Sequence, residues 1–211
     1  MKINTLTFKE LDRKWFCIED KNQIKKICKK LWLDKTDKPL LIYSFIEYNE
    51  GFKFRILGNI YFDKEFEIND EFIECEEILD YDFCKNFDVI KIDEDIIKNF
   101  KNLKNIETQI NKYYSNNDIN KIREMENIDK FRDKEIIDKV KFLLINKETK
   151  QENVNGLIVG LDENNDIICK VLDKPKKIFK LKKNSLIVLK YLDRPKFKGL
   201  VFYKKYTIPK K

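Results

Sequence analysis

Residues 154–206 read VNGLIVGLDENNDIICKVLDKPKKIFKLKKNSLIVLKYLDRPKFKGLVFYKKY. Short apolar runs alternate with turn signals along this whole stretch. VNGLIVGL (154–161) is followed by Asp162–Asp166, IICKVL (167–172) by Asp173–Lys176, and IFKL (178–181) by Lys183-Asn184. SLIVLKYL (185–192) then leads through DRPKFKG (193–199) to LVFYKKY (200–206). β-Branched and aromatic residues punctuated by Gly, Pro, Asn and Asp predict five short strands. Strands this short and evenly spaced predict a small antiparallel β-barrel of SH3-, Sm- or OB-like kind. Phe179, Leu181, Ile187, Leu189, Val201 and Tyr203 alternate as its expected core, and Gly156 and Gly160 mark bends or bulges. RPKFKG reads as a loop tip carrying Phe197.

The same stretch begins the most basic part of the chain. Lys174–Lys211 holds thirteen lysines and Arg194 against Asp193 alone, a formal +13 in a chain whose total is +7, so residues 1–173 carry −6. That polarity points to a polyanionic partner. A lysine-rich barrel surface suits a phosphate backbone, whose binding releases counterions and weakens with salt. The predicted contact residues are Lys174, Lys176, Lys177, Lys180, Lys182, Lys183, Arg194, Lys196, Phe197 and Lys198. Phe179, Tyr191, Tyr203 and Tyr206 join Phe197 as rings for stacking unpaired bases. Lysine outnumbers arginine 39 to 5, and lysine is a point charge rather than a bidentate reader, so little base specificity is expected.

Upstream, RKWFCIE (13–19) reads as a strand, and Asp20 as the N-cap of a helix from Lys21 to Trp32. Ile24, Ile27, Cys28 and Leu31 form the apolar stripe of that helix. Residues 40–47 and 52–62 predict a hairpin turned at Asn49-Glu50-Gly51, with a short strand at 65–68. An acidic stretch, 69–95, follows, opposed only by Lys85 and Lys91. Helical patterns then cover 94–115, the segment around Ile119, Ile122 and Met125, and 133–146. The expected organisation is α+β: an N-terminal mixed region (1–92), a helical connector (93–147) and the basic barrel (148–211).

What is missing narrows the chemistry. With no histidine, Ser-His-Asp, Cys-His and H-E-x-x-H chemistry is excluded. The five glycines form neither G-x-x-x-x-G-K-[ST] nor G-x-G-x-x-G, so no phosphate-cradling nucleotide loop is visible. Five cysteines without C-x-x-C spacing read as buried free thiols in a reducing compartment rather than a disulfide frame or metal site. The N-terminus has no apolar leader segment and no run is long enough to cross a membrane, which places the protein in the cytoplasm. No cofactor, metal or catalytic residue is expected. The reading is a non-enzymatic protein binding RNA or single-stranded DNA. Two alternatives stand beside it. One is a stoichiometric inhibitor or interaction module of phage or mobile-element type, using the acidic stretch or an aromatic patch on a protein target. The other is a metal-dependent nuclease built on Asp138 and the E-x-K of Glu148-Thr149-Lys150.

Overall fold

Leu40 to Ile46 are buried without a break, so the strand they form is covered on both faces. In the computed structural model this is the centre of the first of two sheets in a mixed α+β protein. All residues are described except 60–77, 98–102, 146–149, 196 and 208–211. The chain divides into two compact units, Met1–Tyr113 and Tyr114–Lys211.

In the first unit, β1 (Lys14–Ile18), β2 (Leu40–Glu47), β3 (Gly51–Asn59), β4 (Ile78–Asp80) and β5 (Ile90–Lys91) pair in the order β4-β3-β2-β1-β5. The hairpin between β2 and β3 turns as its residues predict, with Asn49 and Gly51 both at positive φ. Ser44, polar in this apolar strand, donates its hydroxyl to the carbonyls of Leu11 and Lys14. The predicted helix is present as Lys21–Leu31, and the Asp20 carboxylate accepts from the Gln23 N–H at 2.8 Å. Its apolar stripe, Ile24, Ile27, Cys28 and Leu31, is buried. The predicted strand at 65–68 and the most acidic part of 69–95 lie outside the described residues. Of the helix expected over 94–115, Glu94–Ile97 and Leu103–Asn111 are helical, and Lys112–Tyr114 forms a 3-10 turn.

In the second unit, β6 (Lys139–Ile145), β7 (Gln151–Leu161), β8 (Ile167–Val171), β9 (Leu186–Arg194) and β10 (Phe197–Lys205) pair in the cyclic order β10-β6-β7-β8-β9. Every chain-adjacent pair is antiparallel, and β10 meets β6 through a single parallel pairing, Val201 with Leu143. The core holds Val140, Phe142, Leu144, Val154, Ile158, Ile167, Cys169, Val171, Ile187, Leu189 and Leu200. Ile119 and Ile122 of the helix Asn117–Arg123 join it, with Ile128 of the following 3-10 turn. Asn116 caps that helix, its side chain accepting from Asp118 and Ile119 N–H.

Three expectations are corrected here. The helix expected over 133–146 is not formed by its described residues: 139–145 form β6. Val140, Phe142 and Leu144 point inward at period two, while Ile136, Ile137, Val140, Leu143 and Leu144 also satisfy the helical period, so pattern alone could not separate the two. The antiparallel partner β7 decides it. Residues 178–181 are not a strand, because β8 pairs directly with β9 and leaves no edge for them; Lys177–Phe179 is a 3-10 turn. Finally, Val201 is buried as expected, but Leu200 lies in the core beside it and Phe202 packs against the core where Tyr203 was expected. A bulge between Phe202 and Lys204 carries Tyr203, which is 55% exposed.

Gly160 flanks a bulge in β7, as expected of it, whereas Gly156 is a close-packing position. A Cβ built on Gly156 would collide with Cys169 Sγ and sit 3.0 Å from Phe142 Cε1 and 3.2 Å from the Lys170 carbonyl oxygen. Burial pushes the Cys169 thiol above its ordinary pKa, so it stays a neutral packing group. Gly156→Ala is therefore expected to cost about 1–3 kcal/mol by overpacking, read as an earlier midpoint in urea unfolding. An unchanged midpoint would mean that this contact relaxes freely.

Candidate nucleic-acid interface

The connection from β8 to β9, residues 172–185, carries six of the ten predicted contact residues. Its ends are tied to the sheet by backbone hydrogen bonds. Val171 N–H donates to Ser185 O at 3.0 Å, Asn184 N–H to Val171 O at 2.8 Å, and Leu172 N–H to Asn155 O at 2.9 Å. Between the ends, Pro175 and Leu181 are buried and Phe179 packs against the core. Lys180 and Asn184 take left-handed conformations that reverse the path. With Pro175, Phe179 and Leu181 as anchors, Lys174, Lys176, Lys177, Lys180, Lys182 and Lys183 are all exposed.

None of these six lysines forms an ion pair with a described residue. The connection's one acid, Asp173, is occupied otherwise: its carboxylate accepts from the Asn155 N–H at 2.7 Å and the Asn155 side-chain amide at 3.0 Å. Glu152 accepts from the Lys176 backbone N–H at 3.0 Å rather than from a lysine ammonium. Lys205, which sequence reasoning left out of the set, pairs with Ile187 beside the same end and is also exposed. Strand pairing was the missing signal, since Lys205 lies twenty-two residues beyond Lys183 in the chain.

The remaining predicted residues are elsewhere. Arg194, Phe197 and Lys198 belong to the hairpin at the far end of β9, and Lys196 lies outside the described residues. Eight steps along the strand separate Leu186 from Arg194, roughly 26 Å. The nine described residues thus fall into two groups. Charge is also handled differently along this hairpin. Lys198 pairs with Asp193 at 3.0 Å, Lys190 with Asp166 at 3.2 Å and Lys204 with Asp162 at 3.8 Å.

Phe197 is not a loop tip. It pairs with Arg194 as the first residue of β10, and its ring lies over Gly199, where an added Cβ would come within 2.7 Å of Cζ. Tyr191 and Phe179 pack against the core. Tyr203 is exposed, but the Lys190 ammonium sits 4.1 Å from its ring centroid. Tyr206 is half-buried. The predicted stacking rings of this unit are therefore largely committed to the fold.

Of the residues named for the nuclease alternative, Asp138 already has a partner. Asp138 is buried, and both its oxygens accept from Arg123, Nε at 3.0 Å and Nη2 at 2.7 Å. Glu148 lies outside the described residues. In the described part of the acidic stretch, Asp80 pairs with Lys53, Asp82 with Lys85 and Glu94 with Lys14. Cys17, Cys28, Cys84 and Cys169 are buried free thiols, and burial, with Glu19 nearby, pushes Cys17 up to about 12. No helix among the described residues is long and apolar enough to cross a membrane.

No family model matches the chain, and neither a curated protein nor a solved structure is significantly similar to it.

Proposed function

We propose that this is a non-enzymatic nucleic-acid-binding protein whose second unit, a small β-barrel, contacts the backbone of RNA or single-stranded DNA through the β8–β9 connection. The observation that carries this reading is the set of six exposed lysines on an anchored segment, none ion-paired with a described residue, beside other lysines that are. Cations held together without counter-charge attract a polyanion, and each phosphate neutralised releases a condensed counterion. Pinning the segment limits the conformational entropy lost on binding. Lysine ammonium groups on a short turn suit phosphate oxygens rather than base edges, so the contact is one of charge and spacing.

The neighbour order supports an SH3- or Sm-like barrel over an OB-like one. Strands adjacent in the chain are adjacent in space throughout, whereas an OB-fold is a Greek-key barrel. The β9–β10 hairpin drops out of the primary contact because Lys198 already has Asp193. A direct comparison tests that assignment. Lys182→Glu with Lys183→Glu should weaken binding to a labelled single strand by about tenfold or more, while Lys198→Glu should change it less than about threefold. The reverse ranking would move the interface to the hairpin.

A further inference from the structure

Trp32 is 92% exposed, and nothing in the fold asks for it. It occupies the left-handed position that ends the helix Lys21–Leu31, at φ 55° and ψ 29°, where glycine is the unstrained residue. Its ring gains almost no burial there. Beside it opens a cavity of about 850 Å³, lined by Lys25, Cys28, Lys29, Trp32, Leu33 and Lys35 among others. Its size is that of a small-molecule site. Lys25, Lys29 and Lys35 are exposed and form no ion pair with a described residue. Asp37, the acid on the rim, is paired with Lys21 at 3.3 Å.

We infer that this cavity is a second, separate site that takes an unpaired base of a single-stranded nucleic acid. The base stacks on Trp32, and the flanking phosphates meet Lys25, Lys29 and Lys35. An open aromatic face, an apolar wall from Cys28 and Leu33, and three uncompensated cations match a ligand that carries a ring and an anion in every repeat. An acidic peptide has that combination only at chosen positions. The site belongs to the first unit and the connection lysines belong to the second.

Tryptophan emission tests it, because Trp15 is buried and Trp32 is not. Wild-type protein is titrated with an eight-nucleotide single strand and with an abasic strand of equal length. The base-bearing strand should quench the emission and the abasic strand should not. Trp32→Gly should remove the quenching, lower affinity for the base-bearing strand about tenfold, and leave thermal stability equal or higher. Lys25→Glu with Lys29→Glu should lower the affinity that the quenching reports. The quenching should persist when Lys176, Lys177, Lys182 and Lys183 are all changed to Glu, which separates this site from the barrel. Equal quenching by the abasic strand, no quenching, or its loss in that barrel variant overturns the inference. Quenching that grows with protein concentration alone assigns the cavity to a second copy of the chain and overturns it as well.

Discussion

Changing Lys176, Lys177, Lys182 and Lys183 together to Glu should reduce affinity for single-stranded RNA or DNA by about 100-fold or more. An exposed charge contact contributes roughly 0.5–1 kcal/mol, so four lost contacts amount to about 3 kcal/mol, and the reversed charges add repulsion. The four side chains are exposed and the connection is anchored through Pro175, Phe179 and Leu181, so the fold should survive. A circular dichroism spectrum and an unfolding midpoint like those of the wild type would establish that. Affinity within about threefold of wild type, in a folded variant, would remove the connection from the interface.

The largest expected effect on stability is at Asp138. Arg123 and Asp138 form a two-pronged ion pair buried in the second unit. Asp138→Ala leaves the guanidinium buried without its carboxylate, and loss of one partner of such a pair costs about 3–5 kcal/mol. Replacing both at once, Arg123→Met with Asp138→Leu, should recover much of that loss, because two apolar side chains need no compensating charge. Urea unfolding of the single and double variants measures both. A loss below about 1 kcal/mol in Asp138→Ala would mean that solvent reaches the site and that the carboxylate is free for another role. The prediction therefore also bears on the metal-site alternative, which needs an Asp138 that can leave Arg123.

The elements that were legible in the sequence are those with local causes. Asp20 and the stripe Ile24, Ile27, Cys28 and Leu31 define a helix without help from the rest of the chain. Asn49 and Gly51 define a turn in the same way. The charge polarity was plain too, since it needs only counting. What sequence could not give depends on partners distant in the chain. Val140, Phe142 and Leu144 become a strand because β7 lies alongside, and IFKL loses its strand because β8 and β9 pair with each other first. Arg194 and Lys198 look continuous with the connection lysines in the chain, yet β9 carries them to the other end of the sheet. The Lys198–Asp193 pair then neutralises part of what composition counted as free charge. Trp32 was read as the last residue of a helix, a position whose exposure follows from the left-handed turn rather than from periodicity.

The most direct measurement is the salt dependence of binding, from about 50 to 300 mM, to short labelled strands and duplexes of RNA and DNA. Six lysines on a single strand predict a slope of log Kobs against log salt near −4, falling to about −1.5 in the four-lysine variant. A slope close to zero, or a steep slope that the variant leaves unchanged, would contradict the account.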